Sequence, residues 1–253
     1  MSADLTIVFA LYPRITQLDF TGPHEVLTRL PGARCVLASA SGGRIAADGG
    51  LAFDTVPIAE VPECALLCVP GGFGCIAAME DTAFLAELRR LAGGARWVTS
   101  VCTGSLVLAA AGLLYGRRAA CHWAWRDLLS AFDGVTPDPA RVVRDGNVIS
   151  GGGVTAIDMA LTVMAEIAGA EHAQAVQLGI EYAPAPPFQS GRPELAAPGV
   201  VAAVQQRLES LRPDRHAQLV VEQRLSLDVG RQGQGAWPRD GHVDHALRQE
   251  VRD

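Results

Sequence analysis

The sequence predicts an α/β protein with a mainly parallel sheet and helices on both of its faces. Three observations carry this reading. Short, continuous apolar runs recur along the chain. Runs of helical periodicity alternate with them, and glycine- or proline-bearing corners separate the two. The 253 residues allow one large domain or two small ones. A chain of this length buries roughly 75% of the surface its unfolded form exposes, so its core needs no staples. No internal repeat is evident.

Leu5–Leu11 is a continuous apolar run and reads as a buried strand, stopped by Tyr12-Pro13. Thr16–Leu30 carries Leu18, Val26, Leu27 and Leu30 at helical positions, with Gly22-Pro23 disturbing the early turns and Pro31-Gly32 ending it. Arg34–Ala40 reads as a second strand. Arg44–Ala47 and Leu51–Val56 read as a hairpin about Asp48-Gly49-Gly50. Ala65–Val69 is another buried strand, broken by Pro70-Gly71-Gly72-Phe73-Gly74, a segment that permits close backbone approach. Ile76–Met79 and Thr82–Leu91 read as helices, the second capped from Asp81 or Thr82.

Trp97–Val101 is a strand that ends at Cys102. A Thr103-Gly104-Ser105 corner follows, and then a helix over Leu106–Leu114. Ala119–His122 is expected as a strand and Trp123–Leu129 as a helix. Arg141–Ser150 reads as a hairpin about Asp145-Gly146-Asn147. Thr155–Ala168 is an amphipathic helix through Ile157, Leu161, Met164 and Ile167, and Glu171–Leu178 is a further helix. Pro184, Pro186 and Pro187 mark an extended segment before a terminal helix over Val200–Leu211. From Arg212 onward a third of the residues are charged, against 19% overall, and hydrophobic periodicity fades. The expected organisation is one domain over 1–211 and a tail of uncertain order over 212–253.

Composition narrows the chemistry. The formal charge is -6 with no basic block, which disfavours a nucleic-acid partner. All 21 basic residues are arginine, so lysine Schiff-base chemistry is excluded. The six cysteines, at 35, 64, 68, 75, 102 and 121, form no paired CxxC units, and no histidine pattern suggests a metal. The longest apolar stretch is too short to span a bilayer. Asp4 and the lack of a basic n-region argue against a signal peptide. A cytoplasmic, reduced, soluble protein with no membrane partner is expected.

Chemistry is expected at the corner after Trp97–Val101. Open α/β sheets keep their sites at the carboxyl ends of strands, and the amides that open a helix favour a thiolate. Local sequence leaves two readings of Cys102 open, a nucleophile and a buried core thiol. The Gly72 amide is a candidate to face negative charge beside that thiol, and a plain tight turn is the alternative. Asp19, between Leu18 and Phe20, is either a partly desolvated acid or a first-turn carboxylate in a Thr16-x-x-Asp19 cap, and local pattern favours the cap. His122 is read as a backbone-bonded histidine.

Leu18-Asp19-Phe-Thr-Gly22-Pro23-x-Glu25, Val69-Pro70-Gly71-Gly72, Ser100-Val-Cys102-Thr103-Gly104, His122-Trp123 and Glu181-Tyr-x-Pro184-x-Pro-Pro187-Phe together resemble the ThiJ/PfpI superfamily, and within it the isonitrile hydratase branch. The resemblance covers roughly residues 4–210. It implies a flavodoxin-like three-layer sandwich of the class I glutamine-amidotransferase type, a homodimer and cofactor-free catalysis. Residue by residue, it makes Cys102 the nucleophile, Asp19 its acidic partner and Gly72 the turn whose amide faces the cysteine. Thr103 stands where protease-like and glyoxalase-like branches carry histidine. The implied reaction is hydration of an organic isonitrile to an N-substituted formamide through a thioimidate. In it Asp19 moves protons, the Gly72 and Thr103 amides stabilise charge, and the Thr103 hydroxyl orients Asp19 or water. The rival readings are a glyoxalase or deglycase acting on α-oxo aldehydes, and a ligand- or redox-sensing cysteine protein.

Overall fold

The structure, a computed structural model, describes residues 5–211; residues 1–4 and the tail over 212–253 lie outside the described residues. The first half of the chain supplies β1 (Leu5–Ala10), α1 (Leu18–Leu27), β2 (Ala33–Ser39), β3 (Gly43–Ala46), β4 (Ala52–Pro57), β5 (Leu66–Val69), α2 (Cys75–Glu80) and α3 (Thr82–Gly94). After these come β6 (Trp97–Val101), α4 (Gly104–Ala110), β7 (Arg118–Ala119), β8 (Thr136–Pro137), β9 (Val142–Asp145) and β10 (Val148–Gly151). Three helices close the described chain: α5 (Ala156–Ala168), α6 (Ala170–Gly179) and α7 (Pro198–Leu211).

Eight strands form one sheet in the order β3-β4-β2-β1-β5-β6-β10-β9, and β7 and β8 pair separately. From β4 to β10 the neighbours run parallel. The outermost pairs, β3 with β4 and β9 with β10, are antiparallel hairpins. The fold is therefore the expected flavodoxin-like α/β sandwich. The central strands β5 and β6 are buried along their whole length, which is why β5 reads as an unbroken apolar run and β6 carries its two polar residues, Thr99 and Ser100, fully buried and hydrogen-bonded.

Three segments depart most from the sequence expectation. The strand expected over Ala119–His122 shrinks to the two residues of β7. The cause is local: the Ala120 N–H donates to Ser150 Oγ at 2.8 Å, and its carbonyl accepts from Ser105 Oγ at 2.6 Å. Side chains thus take the bonds a ladder would use, and the following segment forms a 3-10 turn over Arg126–Ala131 in place of an α-helix. The first helix stops at Leu27, because the Arg29 and Leu30 amides close back on Val26 and Leu27 in tighter, three-residue turns.

α3 begins as expected, with Asp81 Oδ1 accepting from the Phe84 amide at 2.9 Å. Asp81→Ala should therefore lower the unfolding free energy by about 1 kcal/mol in urea denaturation, with activity unchanged.

Candidate active site

Strand register builds the site. Phe9, Cys68, Thr99 and Ile149 are Cα partners across β1, β5, β6 and β10. Counting three residues on from each brings Tyr12, Gly71, Cys102 and Gly152 to one level at the carboxyl edge of the sheet. Sequence separations of 31 to 59 residues thus collapse into a single row.

Cys102 occupies the corner between β6 and α4 with a positive φ of 57°. A non-glycine residue in that region costs about 1–3 kcal/mol and persists only where the surroundings impose it. Here they do. The Cys102 amide donates to Gly151 O at 2.8 Å. At Gly104 a Cβ would lie 2.1 Å from Val69 O and 2.7 Å from Pro70 O, so only glycine lets the chain turn this tightly into α4. A Cβ at Gly71 would lie 2.6 Å from Cys102 Cβ, 2.6 Å from the Thr103 nitrogen and 2.8 Å from Asp19 Oδ2. The Pro70–Gly71 backbone therefore presses directly against the thiol-bearing corner and the carboxyl.

Asp19 reaches this point from the first turn of α1. It is 0% exposed, and both of its carboxylate oxygens lie without a hydrogen bond among the described residues. The cap suggested by Thr16-x-x-Asp19 is not formed: the Asp19 amide bonds to Thr16 O at 3.0 Å, while its side chain points into the interior. Burial pushes the Asp19 carboxyl up to about 7. The Cys102 thiol, and after it the Gly71 amide, hold it below where burial alone would put it, yet neither closes a hydrogen bond of normal geometry with it.

Cys102 itself is 9% exposed. Burial pushes its thiol well above the ordinary range, the Asp19 carboxylate and after it the nearby Cys121 add to this, and the Thr103 amide pulls the other way. The expectation that helix-opening amides would yield a resting thiolate is thus corrected: desolvation and a neighbouring carboxylate outweigh one amide. As pH rises through about 7 the pair takes on its first negative charge, and that charge sits on Asp19.

Thr103 and Gly72 bond to each other. The Gly72 amide donates to Thr103 Oγ1 at 2.9 Å, and Thr103 Oγ1 lies 3.1 Å from Gly72 O. The Gly72 amide is therefore engaged by the threonine side chain, and the glycine whose backbone abuts the cysteine is its neighbour, Gly71. Likewise the Thr103 hydroxyl holds the Gly72 peptide, and the Thr103 amide is the group turned to the sulfur. Both positions lie in the site, with roles exchanged between side chain and backbone.

Other expected residues fall outside it. His122 accepts from the Ala124 amide through Nδ1 at 3.3 Å, as a backbone-bonded histidine does. Cys64, Cys68 and Cys75 are buried in the core. A cavity of about 510 Å³ lies on the far side of the Phe73–Gly74 loop, lined by Leu11, Ile45, Ile76 and Phe84 among others, and neither Cys102 nor Asp19 lines it. The site has two members that sequence reasoning passed over. Gly71 was hidden beside a second glycine. Tyr12, which donates to Pro70 O at 2.7 Å, was read only as the end of a strand. Behind α5, Asp158 joins Arg141 at 2.5 Å and Tyr182 at 2.9 Å, which fastens the segment before the proline-rich stretch.

Comparisons with known proteins place the chain in a family. A sequence profile of the DJ-1/PfpI family matches residues 5–166. The isonitrile hydratase of Pseudomonas putida is 49% identical over 205 residues, which cover 80% of this chain and 90% of that protein. The HTH-type transcriptional regulator GlxA of Rhizobium meliloti is 30% identical over 66% of this chain, but the match spans only 53% of the regulator. Among solved structures, a ThiJ/PfpI family protein from Pseudomonas syringae superimposes with a TM-score of 0.82 at 37% identity, over 87% of this chain and 91% of that one.

The buried carboxyl has a cost that depends on pH. A folded-state value near 7 against the ordinary 3.8 means that the folded state binds the proton more tightly than the unfolded chain does. The stability tied to that proton is complete below about pH 4 and is lost as pH rises through about 7. Asp19→Asn should therefore raise the unfolding free energy by up to about 4 kcal/mol at pH 8, with the gain gone at pH 4. Denaturant titrations of both proteins at the two pH values measure this.

Proposed function

The chain belongs to the DJ-1/PfpI family, and on that premise we propose that it is an enzyme hydrating organic isonitriles to N-substituted formamides, with Cys102 as nucleophile and Asp19 as proton carrier. The observation that carries the substrate class is the 49% identity to the isonitrile hydratase of Pseudomonas putida over 80% of this chain. The charge state of the Cys102–Asp19 pair supports the chemistry.

An isonitrile carbon must accept a nucleophile and a proton together. A thiol beside a carboxylate supplies one of each. Asp19 takes the Cys102 proton as sulfur bonds to the terminal carbon, and passes that proton to the same carbon. A thioimidate results, with Asp19 again a carboxylate. Asp19 then takes a proton from water as the oxygen adds to the thioimidate carbon, and the former isonitrile nitrogen receives that proton. The remaining hydroxyl proton returns to sulfur through Asp19 as the C–S bond breaks. The sum is one isonitrile and one water giving one formamide, with both residues restored. Because the thiol proton is consumed in the first step and regained in the last, a preformed thiolate is unnecessary. The Thr103 amide, turned to the sulfur, stabilises negative charge as the proton leaves. Thr103 Oγ1 holds the Gly72 peptide and keeps the turn closed over the pair.

The homodimer belongs to the same proposal. Leu178 and Phe188 are 81% and 76% exposed, and Leu195 and Val200 are also exposed, so the last helices and the proline-rich stretch present apolar surface that a second copy would cover. Light scattering should give twice the chain mass of 26.6 kDa. A cytoplasmic location is proposed with it; no helix among the described residues is long and apolar enough to cross a membrane.

With an aryl isonitrile, formamide absorbance should rise in the presence of the wild-type protein, and methylglyoxal should be left unconsumed in a parallel assay. Cys102→Ala should lower kcat/KM by at least about 1000-fold; near wild-type turnover in that variant would refute the proposal. The productive pair needs Asp19 ionised, so kcat/KM should fall roughly tenfold per pH unit below its midpoint at about pH 7 and level off above it.

A further inference from the structure

Tyr12 is one of the most deeply placed polar side chains at the carboxyl edge, at 4% exposure. Its ring packs edge-on against Phe84, and its hydroxyl donates to Pro70 O at 2.7 Å. The carbonyl it grips belongs to the Pro70–Gly71 peptide. That same peptide carries, at its other end, the Gly71 N–H, and Gly71 lies close enough to Asp19 that an added Cβ would stand 2.8 Å from Asp19 Oδ2. The other face of the turn is fixed independently: the Thr16 amide donates to Gly71 O at 2.9 Å, and the Gly72 amide bonds to Thr103 Oγ1. Proline has no N–H of its own to anchor the start of the turn. The orientation of the Pro70–Gly71 plane thus depends on what holds its oxygen.

We propose that Tyr12 is a positioning residue: its hydroxyl fixes the Pro70–Gly71 peptide so that the Gly71 N–H stays turned to the Asp19 carboxyl. Tyr12 touches no reacting atom in this role. A donor on the carbonyl also polarises the peptide and strengthens the N–H at its other end. The inference rests on Cys102 and Asp19 being the reacting pair, and its test separates the two questions.

The neighbours make Asp19 the titrating group near neutral pH. Cys102 faces it from the corner, Cys68 from β5, Cys121 from the segment after β7 and Tyr12 from the end of β1, while Cys75 flanks Tyr12 and Cys102 from the start of α2. Burial pushes every one of these groups up, Cys75 to about 11 and Cys68 to about 12, so each keeps its proton there. Loss of the Tyr12 hydroxyl leaves the Gly71 N–H less firmly aimed, weakens its hold on the carboxylate and raises the Asp19 midpoint.

Tyr12→Phe tests this. Its kcat/KM on an aryl isonitrile should fall about tenfold at pH 6 and remain within about twofold of wild type at pH 9, because the low-pH limb moves up by about one unit. The second readout needs no turnover. The infrared band of the protonated Asp19 carboxyl, taken as the difference between each protein and the same protein carrying Asp19→Asn, should titrate at a higher midpoint in Tyr12→Phe. A band that shifts in a chain that leaves isonitriles untouched supports the role of Tyr12 and sinks the substrate reading alone. Should Tyr12→Phe fail to fold, 3-fluorotyrosine placed at position 12 preserves shape and donates more strongly, so its midpoint should move down. A folded variant whose Asp19 midpoint equals that of wild type, in either direction of this test, overturns the proposal.

Discussion

The close approach of one backbone turn to another is the constraint on which the rest of the structure depends. Pro70–Gly72 lies so near the Cys102 corner that a single added Cβ at Gly71 would collide with the thiol residue, the following amide and the carboxyl together. That approach is possible because β1, β5, β6 and β10 run parallel and in register, which levels their carboxyl ends. A slip of one residue in β5 would replace Gly71 by Pro70 or Gly72 at the row and reverse which face each side chain takes. Burial of the central strands on both faces holds the register. The cost of the corner, a cysteine at positive φ, is carried by the packing of those strands.

Burial does two things at once in this arrangement. It excludes water from the sulfur, and it raises the proton affinity of both Asp19 and Cys102. The two groups therefore hold two protons below about pH 7 and share one above it, so the change from an acid pair to a thiol beside a carboxylate falls near neutral pH. The unsatisfied carboxylate oxygens are a local penalty of the kind that native cores avoid, and the proposed chemistry would use the carboxyl that carries it.

Much of this was readable in the sequence. Apolar runs without alternation announced the buried parallel strands, and glycine-bearing corners announced their carboxyl ends. The strand–Cys102–helix corner was visible because a β-branched run gives way abruptly to small residues. What escaped depended on tertiary geometry. Asp19 sits at a spacing from Thr16 that local rules assign to a helix cap. Only the descent of α1 onto the sheet turns its side chain inward. The choice between Gly71 and Gly72 is invisible to composition, because the two are identical residues separated only by register. Tyr12 gave no signal because its partner is a backbone carbonyl 58 residues away. The strand expected at Ala119–His122 failed for a related reason: two serines, at 105 and 150, reached across to bonds that sequence rules assign to a ladder, and Ser100 bonds to Ser105 behind them.

The two antiparallel hairpins at the rims of the sheet carry a consequence for how the molecule meets its neighbours. The outermost strands, β3 and β9, are four residues each, and each includes an arginine, Arg44 and Arg144. Arg144 is further tied to Glu166 at 2.7 Å, across the face that α5 covers. An incoming strand would find only a short, charged stretch of open backbone on either side. The sheet resists lengthening by strand addition, and lasting association is left to the helical surfaces. Colloidal safety and the proposed chemistry are thereby assigned to different borders of the same sheet, the first to its lateral rims and the second to the row of strand ends.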